Sequence, residues 1–190
     1  MNDVQVRENF HRKRLRRQHA HSRTLVVNEL GLNHGRCRAD IAIINGQLVG
    51  YEIKSDEDSL RRLDGQVKSY NAVFDRVFMI VGERHLENAR KQVPQWWGLI
   101  LFVRGPRGAI NFRTLRNARR NTRQDPISVA RLLWRNEVVE ILHRRGVPPH
   151  VLRQPRAHLY EHLTSVLDIQ GLRRTVRKYL RTRRNWRYRA

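Results

Sequence analysis

A single cysteine, Cys37, stands in 190 residues, so no disulfide can form within the chain, and a reducing cytoplasm is the expected setting. Long apolar runs are missing as well. The longest, Gly98 to Val103, falls far short of the roughly 20 residues a membrane-spanning helix needs. The basic N-terminus has no apolar stretch behind it, which argues against a secretory signal. No segment has the strong apolar face that would insert into a membrane surface, so no membrane partner is expected. Lysine is scarce too: Lys13, Lys54, Lys68, Lys91 and Lys178 are the whole set, and arginine carries the rest of the positive charge. Arginine's planar fork suits phosphate, although codon bias alone can produce the same preference.

The charge itself is present in excess, at a formal +22. Its distribution is uneven. Residues 1–24 hold seven Lys/Arg against two acids, residues 25–100 hold ten of each, and residues 101–190 hold 22 against five. A neutral middle between basic ends reads as a folded module carried between polyanion-binding arms. With 39% apolar residues, below the average for compact domains, the expected core is modest and the arms lie outside it.

Local patterns divide the chain into a basic, helix-compatible segment (1–24), a core (25–104), a basic linker (105–124) and a basic helical region (125–190). Within the core, Thr24–Leu30 and Cys37–Ile44 read as strands, and Asn45-Gly46 is a hairpin signal. Gln47–Lys54 then makes the return strand. Ser55, with Asp58 three residues on, reads as a capping box opening a helix on which Leu60, Leu63, Val67 and Tyr70 recur at helical spacing. Strand Arg76–Val81, helix Glu83–Gln92 and strand Leu99–Val103 complete an α/β sandwich. Arg113–Gln124 reads as a solvated linker. After it, apolar stripes mark helices from Asp125 onward, around Leu159 and Leu163, and around Leu172, Val176 and Leu180. The final Leu180–Ala190, with five arginines, Trp186 and Tyr188, reads as an electrostatic arm.

The chemistry concentrates on Asp40 and on Glu52-Ile53-Lys54. Alternate residues of a strand share a face, so Glu52 and Lys54 point together while Tyr51 and Ile53 point into the core. A two-residue Asn45-Gly46 turn would set Asp40 opposite Tyr51. A three-residue connection, or one bulge, sets it opposite Glu52 with Cβ atoms ~5 Å apart. Two facing carboxylates repel unless a cation lies between them, and hard oxygen ligands suit Mg²⁺ or Mn²⁺. Both acids are expected at a solvent-facing strand edge.

Asp40, eleven intervening residues and Glu-x-Lys on a hairpin followed by an amphipathic helix resemble the PD-(D/E)XK nuclease superfamily. Residues about 24–100 are similar to bacterial and phage proteins bearing Arg38-Ala39-Asp40-Ile41 and Gly50-Tyr51-Glu52-Ile53-Lys54-Ser55-Asp56, with Ala39 where the superfamily often has proline. The resemblance implies a restriction-endonuclease-like mixed sheet flanked by helices, with a small C-terminal helical region. It implies Asp40 and Glu52 as metal ligands, Lys54 orienting the attacking water, and Glu29 as a further acid completing the metal site. Gln66 and Tyr70 match the Q-x-x-x-Y helix motif of RecB-like nucleases, which implies that both face the site and reach the phosphate or Lys54. Tyr70 also lies in register with the core positions. The expected function is Mg²⁺- or Mn²⁺-dependent hydrolysis of phosphodiester bonds in nucleic acid, DNA by preference, in a bacterial or phage-encoded cytoplasmic protein. Two alternatives stay open: a non-catalytic nucleic-acid-binding protein on the same fold, and a nuclease subunit activated by a partner in a phage-defence or DNA-repair complex. A homodimer is equally compatible.

Other motifs carry less. His158 and His162 are spaced i, i+4, but no cysteine or acid completes a zinc site. Trp96-Trp97 suits packing at a strand entry, and Cys37 suits a half-buried position beside the hairpin. Glu137–Leu142, Arg145-Gly146-Val147-Pro148 and Arg156–Leu163 resemble a SAP-type DNA-binding helix-loop-helix, with an ordinary helical hairpin as the equal alternative.

Overall fold

A computed structural model describes residues 2–106, 108–183 and 186 of the chain. Two helices, α1 (Asp3–Arg14) and α2 (Arg16–Ala20), precede strands β1 (Leu25–Leu32), β2 (Cys37–Ile44) and β3 (Leu48–Lys54). Helix α3 (Leu63–Val73) leads to β4 (Arg76–Val81), α4 (Leu86–Gln92) to β5 (Gly98–Arg104), and β6 (Ile110–Arg116) follows. Five helices end the described chain: α5 (Pro126–Ala130), α6 (Arg135–His143), α7 (Pro149–Leu152), α8 (Arg156–Val166) and α9 (Ile169–Thr182). The strands form one mixed sheet in chain order, antiparallel from β1 to β3, parallel from β3 to β5, and antiparallel again at β6. The protein is a mixed α/β fold: a six-stranded sheet flanked by helices, with a helical C-terminal region.

Strand alternation builds a core on each face of this sheet. On one face Val27, Ala42, Ile44, Met79, Val81 and Leu99 meet α3 and the C-terminal helices through Tyr70, Phe74, Leu133, Leu159 and Val176. On the other, Val26, Ile41, Ile43, Tyr51, Ile53 and Ile80 meet Val6, Phe10 and Leu15 of the N-terminal helices. Both basic ends therefore contribute core, which corrects the picture of arms outside it. Val6 and Phe10 of α1 are buried while Val4 stays exposed, because a short helix needs only one narrow stripe to pack on a sheet face.

Three local expectations also change. Ser55–Ser59 is a turn, with the Asp58 carboxylate accepting from the Ser55 amide at 2.7 Å and hydroxyl at 2.6 Å. Short polar side chains that bond nearby backbone compete with helix formation, so α3 begins only at Leu63, after one 3₁₀ turn over Leu60–Arg62. The expected linker contains strand β6, paired to β5 from Arg104↔Ile110 to Leu99↔Arg116. The strap after it is pinned down. Buried Asn121 donates to the carbonyls of Asn71 and Phe74, and Gln124 to that of Val73. Finally, residues 125–180 share the core of the sheet, so packing marks no boundary at 104 or 125.

Candidate active site

The β2–β3 connection spans Asn45, Gly46 and Gln47, closing on the pair Ile44↔Leu48 and running to Ile41↔Tyr51. The three-residue connection thus sets the register that places Asp40 across from Glu52, one step beyond the last ladder pair. There the Asp40 side chain takes over the strand's bonding, its Oδ2 accepting from the Ile53 amide at 2.6 Å. Glu52 and Lys54 share a face, as alternation requires, with Lys54 Nζ 2.7 Å from Glu52 Oε1. That face is covered, and Glu52 is 0% exposed and Lys54 5%. The expected solvent-facing edge is therefore corrected for Glu52. Asp40 stays half-buried.

The cover is α3. It lies close to β3 because position 50 is glycine: a Cβ there would meet the buried Phe74 ring at 2.8 Å. From this helix Gln66 Nε2 donates to Glu52 Oε1 at 2.5 Å and Tyr70 OH donates to Glu52 Oε2 at 2.5 Å. Gln66 and Tyr70, one turn apart on one helical face, thus reach Glu52 and not Lys54. Tyr70 is also fully buried among Phe74 and Trp97, so it serves core and site together.

The electrostatics follow from this burial. Asp40 is pushed well above the ordinary carboxylate value by desolvation first and by the charge of Glu52 next, against the Ile53 hydrogen bond. Glu52 is raised by desolvation, which outweighs the opposing effect of Lys54, Tyr70 and Gln66. Tyr70 is raised by burial and by both carboxylates, so it remains a hydrogen-bond donor.

Glu29 is not brought to this pair. Its backbone adopts φ 55°, in the left-handed region, and its carboxylate meets Arg7 Nη1 at 2.5 Å and Arg38 Nε at 3.4 Å. The acid that does come near is Asp3, at the first position of α1. Its carboxyl is raised by burial, opposed by Arg7, and it feels Asp58, Glu29 and Lys54 in turn. The charge of Asp3 also contributes to raising Asp40. Reading the basic first segment as an arm hid Asp3, although it is one of only two acids there. Two buried oxygens beside the site lack any partner: Gln66 Oε1 and Asp3 Oδ1. Among the described residues no three His, Cys, Asp or Glu side chains form a preformed metal cage.

The remaining motifs are spread apart. His158 is exposed and His162 half-buried on α8. Trp97 is buried, its Nε1 donating to Asn71 Oδ1 at 2.8 Å, which is a packing role. Half-buried Cys37 has its thiol pushed up by burial and feels Glu52 and Asp40. The helical hairpin of α6 and α8 packs into the main core through Val138, Leu142, Leu159 and Leu163. Of the C-terminal tail, Arg184, Asn185 and residues 187–190 lie outside the described residues, but Arg183 and Trp186 do not. The Arg183 guanidinium pairs with Glu137 at 2.6 Å and lies 4.0 Å over Trp134 and 4.8 Å from the Trp186 ring. That arginine is an anchor, not part of a free arm.

Fold and site together define a mixed α/β protein with two facing carboxylates and a lysine on a central hairpin, roofed by a Gln/Tyr helix. The chain belongs to the bacteriophage P4 protein cII family, whose model matches residues 7–189. It is 30% identical over 122 residues to protein cII of Enterobacteria phage P4, covering 64% of this chain and 46% of that protein. The chain thus spans about half the length of the curated relative. A solved structure, the SPO1766 protein of unknown function from Silicibacter pomeroyi, aligns at a TM-score of 0.46 and 18% identity, covering 90% of this chain and 95% of that one. No helix among the described residues is long and apolar enough to cross a membrane.

Proposed function

We propose that the protein is a metal-dependent phosphodiesterase of the PD-(D/E)XK type, acting on nucleic acid and by preference on DNA. One observation carries the reading: Glu52, set across from Asp40 by the hairpin register, is held at the same time by Lys54, Gln66 and Tyr70. Core packing alone has no use for a buried carboxylate, Glu52, facing a half-buried one, Asp40, since burying each adds a desolvation penalty.

The donor set fits Mg²⁺ or Mn²⁺. Asp40 and Glu52 supply carboxylate oxygens, and the unpartnered Gln66 Oε1 and Asp3 Oδ1 add hard oxygens nearby. Asp40 and Glu52 would hold the ion, with Asp3 in place of Glu29 as the neighbouring acid. When bound, the ion would neutralise charge on the scissile phosphate and lower the pKa of its water. The protein's own residues do the rest. Tyr70 and Gln66 fix the Glu52 rotamer from a rigid helix, leaving Asp40 as the half-open side of the site. Lys54 places a cation where negative charge grows in the transition state.

A second reading, non-catalytic nucleic-acid binding on the same fold, is favoured by the complete covering of Glu52 by its own neighbours. One assay separates the two: labelled single- and double-stranded DNA and RNA incubated with the protein in Mg²⁺, Mn²⁺ or chelator. Hydrolysis in metal, absent in chelator and in Glu52→Gln, supports the enzyme. Binding without hydrolysis of any substrate supports the second reading.

A further inference from the structure

A cluster of positive charge lies apart from the carboxylates. A cleft of about 780 Å³ lies among α2, the β2–β3 connection and α9, lined by Arg17, Arg23, Arg174, Arg177 and Arg181 with His21. No acidic residue is among those lining it. On α9, Arg174, Arg177 and Arg181 recur at three- and four-residue spacing, so they share one face of the helix. Leu172, Val176 and Leu180 pack the opposite face into the core. The stripe is therefore held rigidly by a buried face and does not depend on tail residues.

Asp75 is the acid that reaches this group. It lies behind the cleft, buried, accepting from the Leu48 amide at 2.7 Å and meeting Arg177 at 3.5 Å and Arg173 at 3.9 Å. One carboxylate thus answers several guanidinium groups. Arg177 shows the imbalance: burial lowers its pKa, Asp75 opposes that, and Arg173, Arg174 and Arg181 lower it further. Arg17, Arg23, Arg174 and Arg181 remain exposed. A cluster of like charges on fixed backbone is stabilised by a polyanion that brings several phosphates at once.

We infer that this cleft is a phosphate-binding site that holds the backbone of a nucleic-acid strand away from the carboxylates. The hairpin sets the separation. Asp40 and Glu52 lie four residues from Ile44 and Leu48, the pair that closes the connection, which is ~13 Å along the strands. That is about four phosphates at the ~3.4 Å per-strand spacing of a duplex, so one strand is long enough to contact both ends. The inference rests on nucleic acid being the substrate, but it concerns anchoring and not hydrolysis.

The test is fluorescence anisotropy of a labelled DNA oligonucleotide across a salt series, with the full-length protein. Arg17→Gln/Arg23→Gln/Arg174→Gln is compared with Arg113→Gln/Arg120→Gln/Arg153→Gln, three exposed arginines outside the cleft. The cleft variant is expected to bind more than tenfold more weakly, with its log–log salt slope reduced by about two, at roughly 0.7–0.9 for each phosphate that is no longer neutralised. The control variant is expected to weaken less than threefold. Equal weakening in both would show that bulk charge alone binds DNA, and unchanged binding in the cleft variant would show that the cleft is not used; either overturns the inference. So would a cleft variant that keeps DNA but no longer binds vesicles of phosphatidylserine. Matching thermal unfolding of both variants guards against a folding artefact. Cleft-dependent binding with no hydrolysis by the wild type would sink the proposed enzyme and leave this site standing.

Discussion

At one end of the β2–β3 hairpin, Asp40 and Glu52 face each other and Lys54, Gln66 and Tyr70 close on Glu52. At the other end, around Asn45-Gly46, five arginines line a cleft, and Asp75 answers Arg177 from behind it. The first end is sealed around Glu52, which is met by Lys54 of its own strand and by Gln66 and Tyr70 of α3, while Asp40 lies half-buried at its margin. The second is open, with its positive charge largely left to solvent. On the proposed reading, the contrast separates two tasks that both need charge near phosphate. Chemistry wants a dry site in which each charge is held before the substrate arrives. Anchoring tolerates water and gains from many weak, salt-sensitive contacts.

The largest effect that would break this comparison lies at the sealed end. Glu52→Gln should reduce hydrolysis to background. Lys54→Ala should slow single-turnover hydrolysis by roughly 10²–10³-fold, as for removal of a transition-state donor, while substrate affinity changes little. A Lys54→Ala effect confined to affinity would move Lys54 to the anchoring side of the comparison.

Next comes the C-terminal anchor. Arg183 and Glu137 side chains are 5% and 9% exposed, so Glu137→Ala strands a buried cation. Breaking such a pair costs about 3–5 kcal/mol, readable by urea unfolding. A change too small to measure would return the tail to the status of a detachable arm. Smaller again, Tyr70→Phe removes a hydrogen bond to a buried carboxylate and should cost about 1.5–3 kcal/mol by the same method.

The smallest effect depends on pH. Because the folded state raises the Asp40 pKa above its ordinary value of 3.8, the folded protein holds a proton that the unfolded chain releases. Stability from this group is therefore full below the ordinary carboxylate range and declines as pH rises through the folded pKa. Asp40→Asn, which can still accept from the Ile53 amide, should raise the melting temperature at about pH 8 and leave it unchanged at about pH 3. A variant that melts lower than wild type at both values would show that Asp40 is structural.

Much of this was legible from the residues. Period-two alternation and Asn45-Gly46 marked the hairpin but left two registers open, and the three-residue connection chose the one that faces Asp40 with Glu52, because one residue of shift reverses every side chain. The resemblance of Gln66 and Tyr70 to a Q-x-x-x-Y motif pointed to a site-facing helix face, which the structure sets against Glu52 rather than Lys54. What was not legible depended on tertiary contact. β6 hides in an Arg/Asn-rich stretch because an edge strand can be polar, its pairing supplied by β5. The N-terminal segment passes for an arm because Val6, Phe10 and Leu15 are few, yet they are buried in the core on one sheet face. Charge composition misassigned Asp3 and Arg183 alike, since a basic stretch says nothing of which residue in it turns inward. Glu29 was displaced by its own left-handed backbone, for which the sequence around it offers no glycine signal.

The central claim, that the sealed end is built around a divalent cation, meets its most direct test in a Mn²⁺ titration followed by electron paramagnetic resonance. Wild type, Asp40→Asn and Glu52→Gln would be compared, each first shown to be folded by circular dichroism. One saturable site is expected in the wild type and none in either carboxylate variant, while Arg17→Gln/Arg23→Gln/Arg174→Gln retains it. Saturable binding that persists unchanged in both carboxylate variants, or no saturable binding by the wild type, would contradict the claim.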